Sequence, residues 1–151
     1  MIKFKIILSS IIIFSITACS TLTLTPAEFG WPIETVLKVD DKGSVSEDRY
    51  ALSFNTKQLF QEEVQDSLAY VDKSIRVIRS IDGYYFITAK DFKNVYVFNT
   101  GEGSLAMKNK IQINETGLKN PAFNQRPPYI ELLDGDMVYK LTSEGISGGE
   151  E

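Results

Sequence analysis

Histidine is absent from this sequence of 151 residues, and cysteine occurs once. The missing histidine excludes Ser-His-Asp and Cys-His catalysis and any His-ligated metal, and one cysteine cannot build an intramolecular disulfide, a zinc ribbon or an iron–sulfur site. Basic residues are also in the minority: 16 Lys and Arg against 20 Asp and Glu give a net charge of −4. Nucleic-acid-binding proteins present a basic face to phosphates, so this balance argues against that class.

The N-terminus combines a short basic start with a short apolar run. Lys3 and Lys5 precede an uncharged stretch over 6–16. A helix of that length would span roughly 16 Å, about half of the ~30 Å hydrocarbon core of a bilayer. A basic start, a short apolar stretch and small residues after it are typical of a secretory signal peptide. We therefore predict a signal peptide over 1–18.

The residues that end this run are Ile16, Thr17, Ala18 and Cys19. They resemble the lipobox of bacterial lipoprotein precursors, in which an aliphatic residue and two small residues precede a cysteine. The resemblance implies cleavage before Cys19, attachment of diacylglycerol to its thiol, and often acylation of the new N-terminus. The expected partner of Cys19 is thus a lipid bilayer, because each buried CH₂ of an acyl chain contributes about 0.8 kcal/mol. The expected location is the bacterial cell envelope.

Ser20 follows the cysteine, and in lipoproteins of bacteria with two membranes a serine there commonly accompanies sorting to the outer membrane. Beyond Cys19 we expect a lipidated tether over 19–30 and a single β-rich globular domain over 31–142. The Gly- and Glu-rich end, 143–151, is expected to be disordered.

Most of the remaining chain has the alternating pattern of strands. The predicted antiparallel hairpins pair 33–39 with 49–55, 75–81 with 84–89 across Asp82-Gly83, and 129–133 with 137–141 across 134–136. Two further strands are predicted at 95–98, apolar on both faces, and at 105–113. The longest irregular stretch is expected over 114–128.

One helix is predicted over 56–71, where apolar residues recur at spacings of four, four and three. Its apolar face would carry Phe60, Val64, Leu68 and Val71, and Asn55 or Thr56 would cap its N-terminus. The predicted fold is mainly β, a β-sandwich or small β-barrel built of antiparallel hairpins with one α-helix packed on it.

Acidic residues crowd two turns, and these are weak candidates for a cation site: Asp40 with Asp41, and Asp134 with Asp136. Ca²⁺ takes six to eight oxygen ligands, and neither turn has the full spacing of a calcium loop. Aspartate in turns usually bonds the local backbone, so the structural role is the better interpretation. No metal and no cofactor is predicted.

A partner-binding feature is predicted near the irregular stretch, because long irregular loops in small domains are often functional. The Arg126-Pro127-Pro128-Tyr129 run would be stiff and extended, and could present Phe123, Arg126 and Tyr129 to a partner. Trp31 is a further candidate. The alternatives are a plain crossover between two sheets for the loop and ordinary core packing for the aromatic residues.

The general bases and nucleophile partners of common enzymes are missing, so we expect a non-enzymatic interaction or assembly component of the envelope. The alternative is a ligand-binding lipoprotein that captures a glycan, a cation or a foreign protein. A carboxylate-dependent hydrolase is a third reading, although the neighbours Glu62 and Glu63 point about 100° apart on a helix and cannot flank one substrate.

Overall fold

The computed structural model describes residues 30–66, 68–101 and 103–148. In this part the chain is mainly β, with antiparallel sheets and one α-helix, as the sequence predicts. The strands are β1 (Thr35–Lys38), β2 (Ser44–Glu47), β3 (Leu52–Asn55), β4 (Ser74–Arg79), β5 (Tyr85–Ala89), β6 (Asn94–Thr100), β7 (Leu105–Gln112), β8 (Pro121–Arg126), β9 (Tyr129–Asp134), β10 (Met137–Thr142) and β11 (Gly145–Ile146). The helix α1 spans Lys57–Val64, and a 3₁₀ turn spans Asp48–Tyr50.

The central layer is a five-stranded sheet in the order β1-β4-β5-β6-β7. Every residue of β5 is buried, so both faces of this sheet are covered. The register pairs Tyr85 with Phe98 and Ile87 with Tyr96, which places these four side chains on one face by the alternation of a strand. Helix α1 and the β2–β3 hairpin lie over that face.

The opposite face of the central sheet packs on a four-stranded sheet of order β11-β10-β9-β8. Strand β8 contacts β4 and strand β11 contacts β7, so the two sheets lie against each other from one side to the other. Phe123, Ile130, Leu132 and Leu141 carry the inner face of the second sheet into the core. This arrangement is consistent with a β-sandwich.

The hairpins signalled by local turn residues are confirmed: β4 with β5 across 80–84, and β9 with β10 across Gly135 and Asp136. The predicted pairing of 33–39 with 49–55 is wrong. Strand β1 pairs instead with β4, Thr35 opposite Val77, and β3 pairs with β2. The short segment 44–47 has a weak strand pattern, yet it lies directly opposite β3 and takes the place predicted for β1.

The helix is shorter than predicted and buries a different face. It ends at Val64, because Gln65 adopts a left-handed conformation with φ of 58°. Leu59, Phe60 and Glu63 are its buried residues, whereas the side chains at 64, 68 and 71 are exposed. The N-cap position is Thr56, whose side chain makes no capping hydrogen bond; Asn55 Oδ1, one residue earlier, accepts a 3.0 Å hydrogen bond from Lys57 N.

Two stretches predicted to be irregular contain strands. Six of the fifteen residues of the expected loop over 114–128 form β8, which pairs with β9 from Pro121 opposite Asp134 to Arg126 opposite Tyr129. The chain also continues in regular structure past 142, because Gly145–Ile146 pairs with the end of β10. Asn120-Pro121 and Pro127-Pro128 favour a loop, but the pairing of β8 with the apolar strand β9 overrides that local preference.

Candidate functional site

A groove of about 560 Å³ opens on the helix-covered side of the central sheet, between β3 and the β6–β7 hairpin. Its apolar side chains come from five elements and include Leu52, Phe54, Leu59, Tyr85, Phe98, Leu105 and Met107. The polar lining consists of uncharged groups on β3 and next to the β6–β7 connection, together with Gln58 and Glu62 on α1. The volume falls within the range of about 300–1,000 Å³ found for ligand sites.

The floor of the groove is set by the register of the central sheet. Tyr85 lies opposite Phe98, and Phe98 lies opposite Met107, so the three side chains share one face. A register shift after Val97 leaves Lys108 without a direct partner on β6. Such a β-bulge bends a strand locally and redirects its side chains.

An aromatic stack fixes the groove at the end where Tyr50 and Tyr85 line it. Trp31 is fully buried and lies parallel to Tyr50, with 4.1 Å between ring centroids, and it meets Tyr85 edge-on at 5.5 Å. Next to this stack Arg49 Nε donates a 2.8 Å hydrogen bond to Glu47 Oε1. That hydrogen bond holds the pKa of Glu47 below its usual range.

One rim of the groove is formed by β3, which is the edge of a two-stranded sheet. Strand β3 pairs with β2, and among the described residues no other strand pairs with it. Its exposed Ser53 lies on the groove, and the 101–104 turn, closed by a hydrogen bond of 2.8 Å from Gly101 N to Ser104 O, faces it across the opening. An unpaired edge beside an apolar floor is the arrangement that accepts an extended peptide as an additional strand.

Charge on the described lining is neutralised locally. Glu62 is its one carboxylate, and Lys110 Nζ forms an ion pair with it. Lys110 also lies over the Tyr96 ring, 5.8 Å from the centroid. The groove therefore presents hydroxyl, amide and apolar groups rather than net charge.

Glu63, the neighbour of Glu62, is buried beneath the helix and has three donors around it. Its Oε2 accepts a 2.7 Å hydrogen bond from Lys93 N, and its Oε1 accepts from Asn94 Nδ2 and from the Tyr96 hydroxyl, each at 2.7 Å. Burial, and next the hydrogen bond to Glu63, raise the pKa of Tyr96 far above its ordinary value. The arrangement holds α1 on the central sheet.

Two of the carboxylates predicted as weak cation ligands, Asp40 and Asp134, accept hydrogen bonds from main-chain N–H groups. Asp40 Oδ1 accepts hydrogen bonds from Lys42 N at 2.9 Å and from Ser44 N at 2.7 Å. Asp134 Oδ1 accepts from Lys119 N and Asn120 N, at 2.9 and 2.6 Å. Asp41 and Asp136 are exposed in the same turns. Within residues 30–66, 68–101 and 103–148, no three acidic side chains gather as a metal site would require.

The residues predicted to bind a partner are divided between core and surface. Trp31 is fully buried and Phe123 is 2% exposed, so neither side chain is presented to a partner in this structure. Arg126 and Tyr129 reach solvent at the β8–β9 turn. Arg126 Nε lies 3.4 Å from Glu131 Oε2, and Lys140 Nζ lies 5.8 Å from the Tyr129 ring centroid. Partner binding by these two residues stays a prediction.

Cys19, the predicted lipidation site, lies outside the described residues. Among the residues that the structure does describe, no helix has the length and apolar character needed to cross a membrane. Neither a known protein family, nor a curated protein, nor a solved structure matches this chain.

Proposed function

We propose that this chain is a lipid-anchored envelope protein that acts as a non-enzymatic interaction or assembly component. The Ile16–Cys19 sequence supports the anchor, because an aliphatic residue and two small residues precede the cysteine directly after a short apolar run. The groove beside β3 supports the interaction role. This groove, with an apolar floor and an unpaired strand edge on one rim, is the observation that carries the proposal.

The partner that best fits the groove is an extended, uncharged segment of another envelope protein. Four residues of β3 present about 13 Å of strand edge, enough for the main-chain hydrogen bonds of a short added strand. Apolar side chains of that segment would alternate onto the floor formed by Phe98, Leu105 and Met107. A charged segment is disfavoured because Glu62 is already paired with Lys110 and offers little to a cation.

The carboxylates of the described chain support a non-enzymatic role. Glu63 and Glu34 are held by hydrogen bonds to the main chain and to neighbouring side chains: Glu34 Oε2 accepts from Phe123 N at 2.9 Å, and its other oxygen pairs with Arg76. A general acid needs a carboxyl group facing its substrate. Glu62 faces the groove, but its carboxylate is partly exposed and is held in an ion pair with Lys110.

The test is photo-crosslinking in cells from a single groove position. A photo-reactive amino acid replaces Ser53, an exposed serine on β3 that lines the groove, and in a matched control it replaces Ser74, an exposed serine at the start of β4 outside it. We expect one envelope protein to be crosslinked from position 53 and not from position 74. Equal crosslinking from both positions, or none from either, would contradict the groove as the interaction site.

The same groove gives specific support to the alternative of a ligand-binding lipoprotein, because its volume suits a small, mostly apolar ligand. Its aromatic floor is poorly placed for stacking on a sugar, since Tyr85 is buried. Mass spectrometry of protein purified from its envelope under native conditions distinguishes the two candidates. A small molecule retained in stoichiometric amount would favour the ligand-binding role, and a co-purifying protein the interaction role.

A further inference from the structure

The described chain begins in a narrow space between two turns. A Cβ added at Gly30 would lie 2.5 Å from Gln125 Nε2 and 3.2 Å from Ile81 Cγ1, so side chains of β8 and of the β4–β5 turn close around this position. Trp31 N then donates a 2.8 Å hydrogen bond to Arg79 O, which fixes the chain at the end of β4. The described part of the domain therefore begins at this end, and the sequence that connects it to Cys19 joins it here.

The surface around this position is the end of the domain formed by Ile81, Asp82 and 127–129, called here the tether end. A hollow of about 390 Å³ separates the β4–β5 turn from the β8–β9 turn. Ile81 is 46% exposed, and Pro127 and Pro128 are exposed beside it. The rim is amphipathic, because the apolar Ile81 and the two prolines lie beside the exposed carboxylate of Asp82 and the half-buried Tyr129.

Charged groups also face this end. Arg126 and Lys140 are the cations, the first beside Glu131 and the second over the Tyr129 ring, and Asp82 is an exposed anion in the neighbouring turn. Exposed apolar side chains with a tyrosine and long basic side chains are typical of surfaces that lie in the headgroup region of a membrane. Phosphate groups would accept hydrogen bonds from Arg126.

The length of the tether limits which end of the domain can meet the bilayer. Fully extended, 20–30 reaches at most about 40 Å. A folded domain of about 120 residues has a diameter near 35 Å. The far end, at the β9–β10 turn with Asp136, lies one six-residue strand or about 20 Å beyond the β8–β9 turn, so contact there needs a longer reach of the tether than contact at the tether end. Every shorter arrangement favours the tether end.

We propose that the tether end rests on the phospholipid surface that holds the acyl chains of Cys19, with Ile81 and Pro128 at the headgroup boundary. This inference rests on the proposed lipid anchor. It goes further in assigning a second, non-covalent membrane contact to named residues of the folded domain. The domain then has a fixed orientation, with the β9–β10 turn pointing away from the membrane.

The test uses the full-length lipidated protein with one fluorophore. Cys19 is the chain's one cysteine and its thiol is consumed by the lipid, so a cysteine introduced elsewhere is labelled alone. Ile81→Cys places an environment-sensitive dye at the tether end, and Asp136→Cys places it on the exposed far turn as the matched control. Both proteins are reconstituted into vesicles of phosphatidylethanolamine and phosphatidylglycerol containing a quencher attached to the lipid headgroups.

We expect the dye at position 81 to be quenched at least about twofold more than the dye at position 136, with a blue-shifted emission. Equal quenching, or stronger quenching at 136, would overturn the proposed orientation. A blue shift at position 81 that disappears when the protein is diluted within the vesicles would also overturn it, because that result would assign this end to a second copy of the chain. Incorporation of labelled palmitate is scored separately, so that loss of the anchor is distinguished from loss of the orientation.

Discussion

The Tyr96 hydroxyl donates a hydrogen bond of 2.7 Å to Glu63 Oε1 across the buried interface between α1 and the central sheet. The same oxygen accepts from Asn94 Nδ2, and the other oxygen of the carboxylate accepts from Lys93 N. The helix has eight residues, too few for stability on its own, so its position depends on such contacts. Because helix α1 contributes Leu59 to the groove, the hydrogen bonds of Glu63 also help to shape that site.

Replacement of Glu63 by glutamine should destabilise the protein. Glu63→Gln keeps the size of the side chain, but it removes the charge and sets an amide N–H against at least one donor. Hydrogen bonds to charged groups contribute about 1.5–3 kcal/mol, so we expect the free energy of unfolding to fall by about 2–3 kcal/mol. The matched control is Glu62→Gln, whose exposed ion pair with Lys110 should contribute less than about 1 kcal/mol. Chemical denaturation measures both, and equal losses would refute the assigned role of Glu63.

The raised pKa of Tyr96 predicts a loss of stability at high pH. Above about pH 10 the unfolded chain releases this phenolic proton while the folded chain retains it, so the free energy of unfolding falls as pH rises. The expected slope is about 1.4 kcal/mol per pH unit from this group. Tyr96→Phe lacks the proton, so the stability gap between the natural protein and the variant should narrow between about pH 10 and 11. A gap that stays constant in denaturant titrations would contradict the raised pKa.

The hairpins that the sequence predicts correctly are those whose signals are local. Asp82 and Gly83 lie between two alternating apolar segments, and Gly83 adopts a φ of 87°, which favours glycine. The pairing of β1 with β4 brings together segments that are distant in the sequence. No local turn signals that pairing: the 40–43 turn follows β1 and leads into β2, and β2 is joined to β3 through 48–51, where neither glycine nor proline marks a turn.

The helix and the groove show the same limit. Val64, Leu68 and Val71 have helical spacing, but the left-handed Gln65 ends the helix before that face can form. Glu63 has an acidic side chain with no sequence signal for burial, because its donors lie 30–33 positions away. The groove likewise joins β3, α1 and the β6–β7 hairpin, and only tertiary packing places these elements side by side.

Replacement of Cys19 by alanine should remove the lipid anchor. In the lipoprotein class that Ile16–Cys19 resembles, the cysteine thiol is the attachment point, and alanine has no group that could replace it. We expect Cys19→Ala to abolish incorporation of labelled palmitate and to block normal maturation, seen as retention of the larger precursor on a gel. Ser20→Ala, which changes the next residue and keeps the thiol of Cys19, serves as the control and should still be labelled. Labelled lipid on the Cys19→Ala protein would refute the lipobox interpretation.

A lysine in the groove should weaken partner capture without unfolding the domain. Met107 lines the groove on β7 and is 48% exposed, while Met137 on β10 is outside the groove and 56% exposed. Because both side chains reach solvent, Met107→Lys and Met137→Lys should each change the free energy of unfolding by less than about 0.5 kcal/mol.

A bound apolar segment would desolvate the ammonium group at position 107 and leave it without a partner. A cost of about 1.4 kcal/mol corresponds to a tenfold loss of affinity, so the yield of crosslinks from position 53 should fall about tenfold in Met107→Lys. The yield in Met137→Lys should match that of the natural sequence. If the two lysine variants capture the partner equally well, the segment does not occupy the floor of this groove.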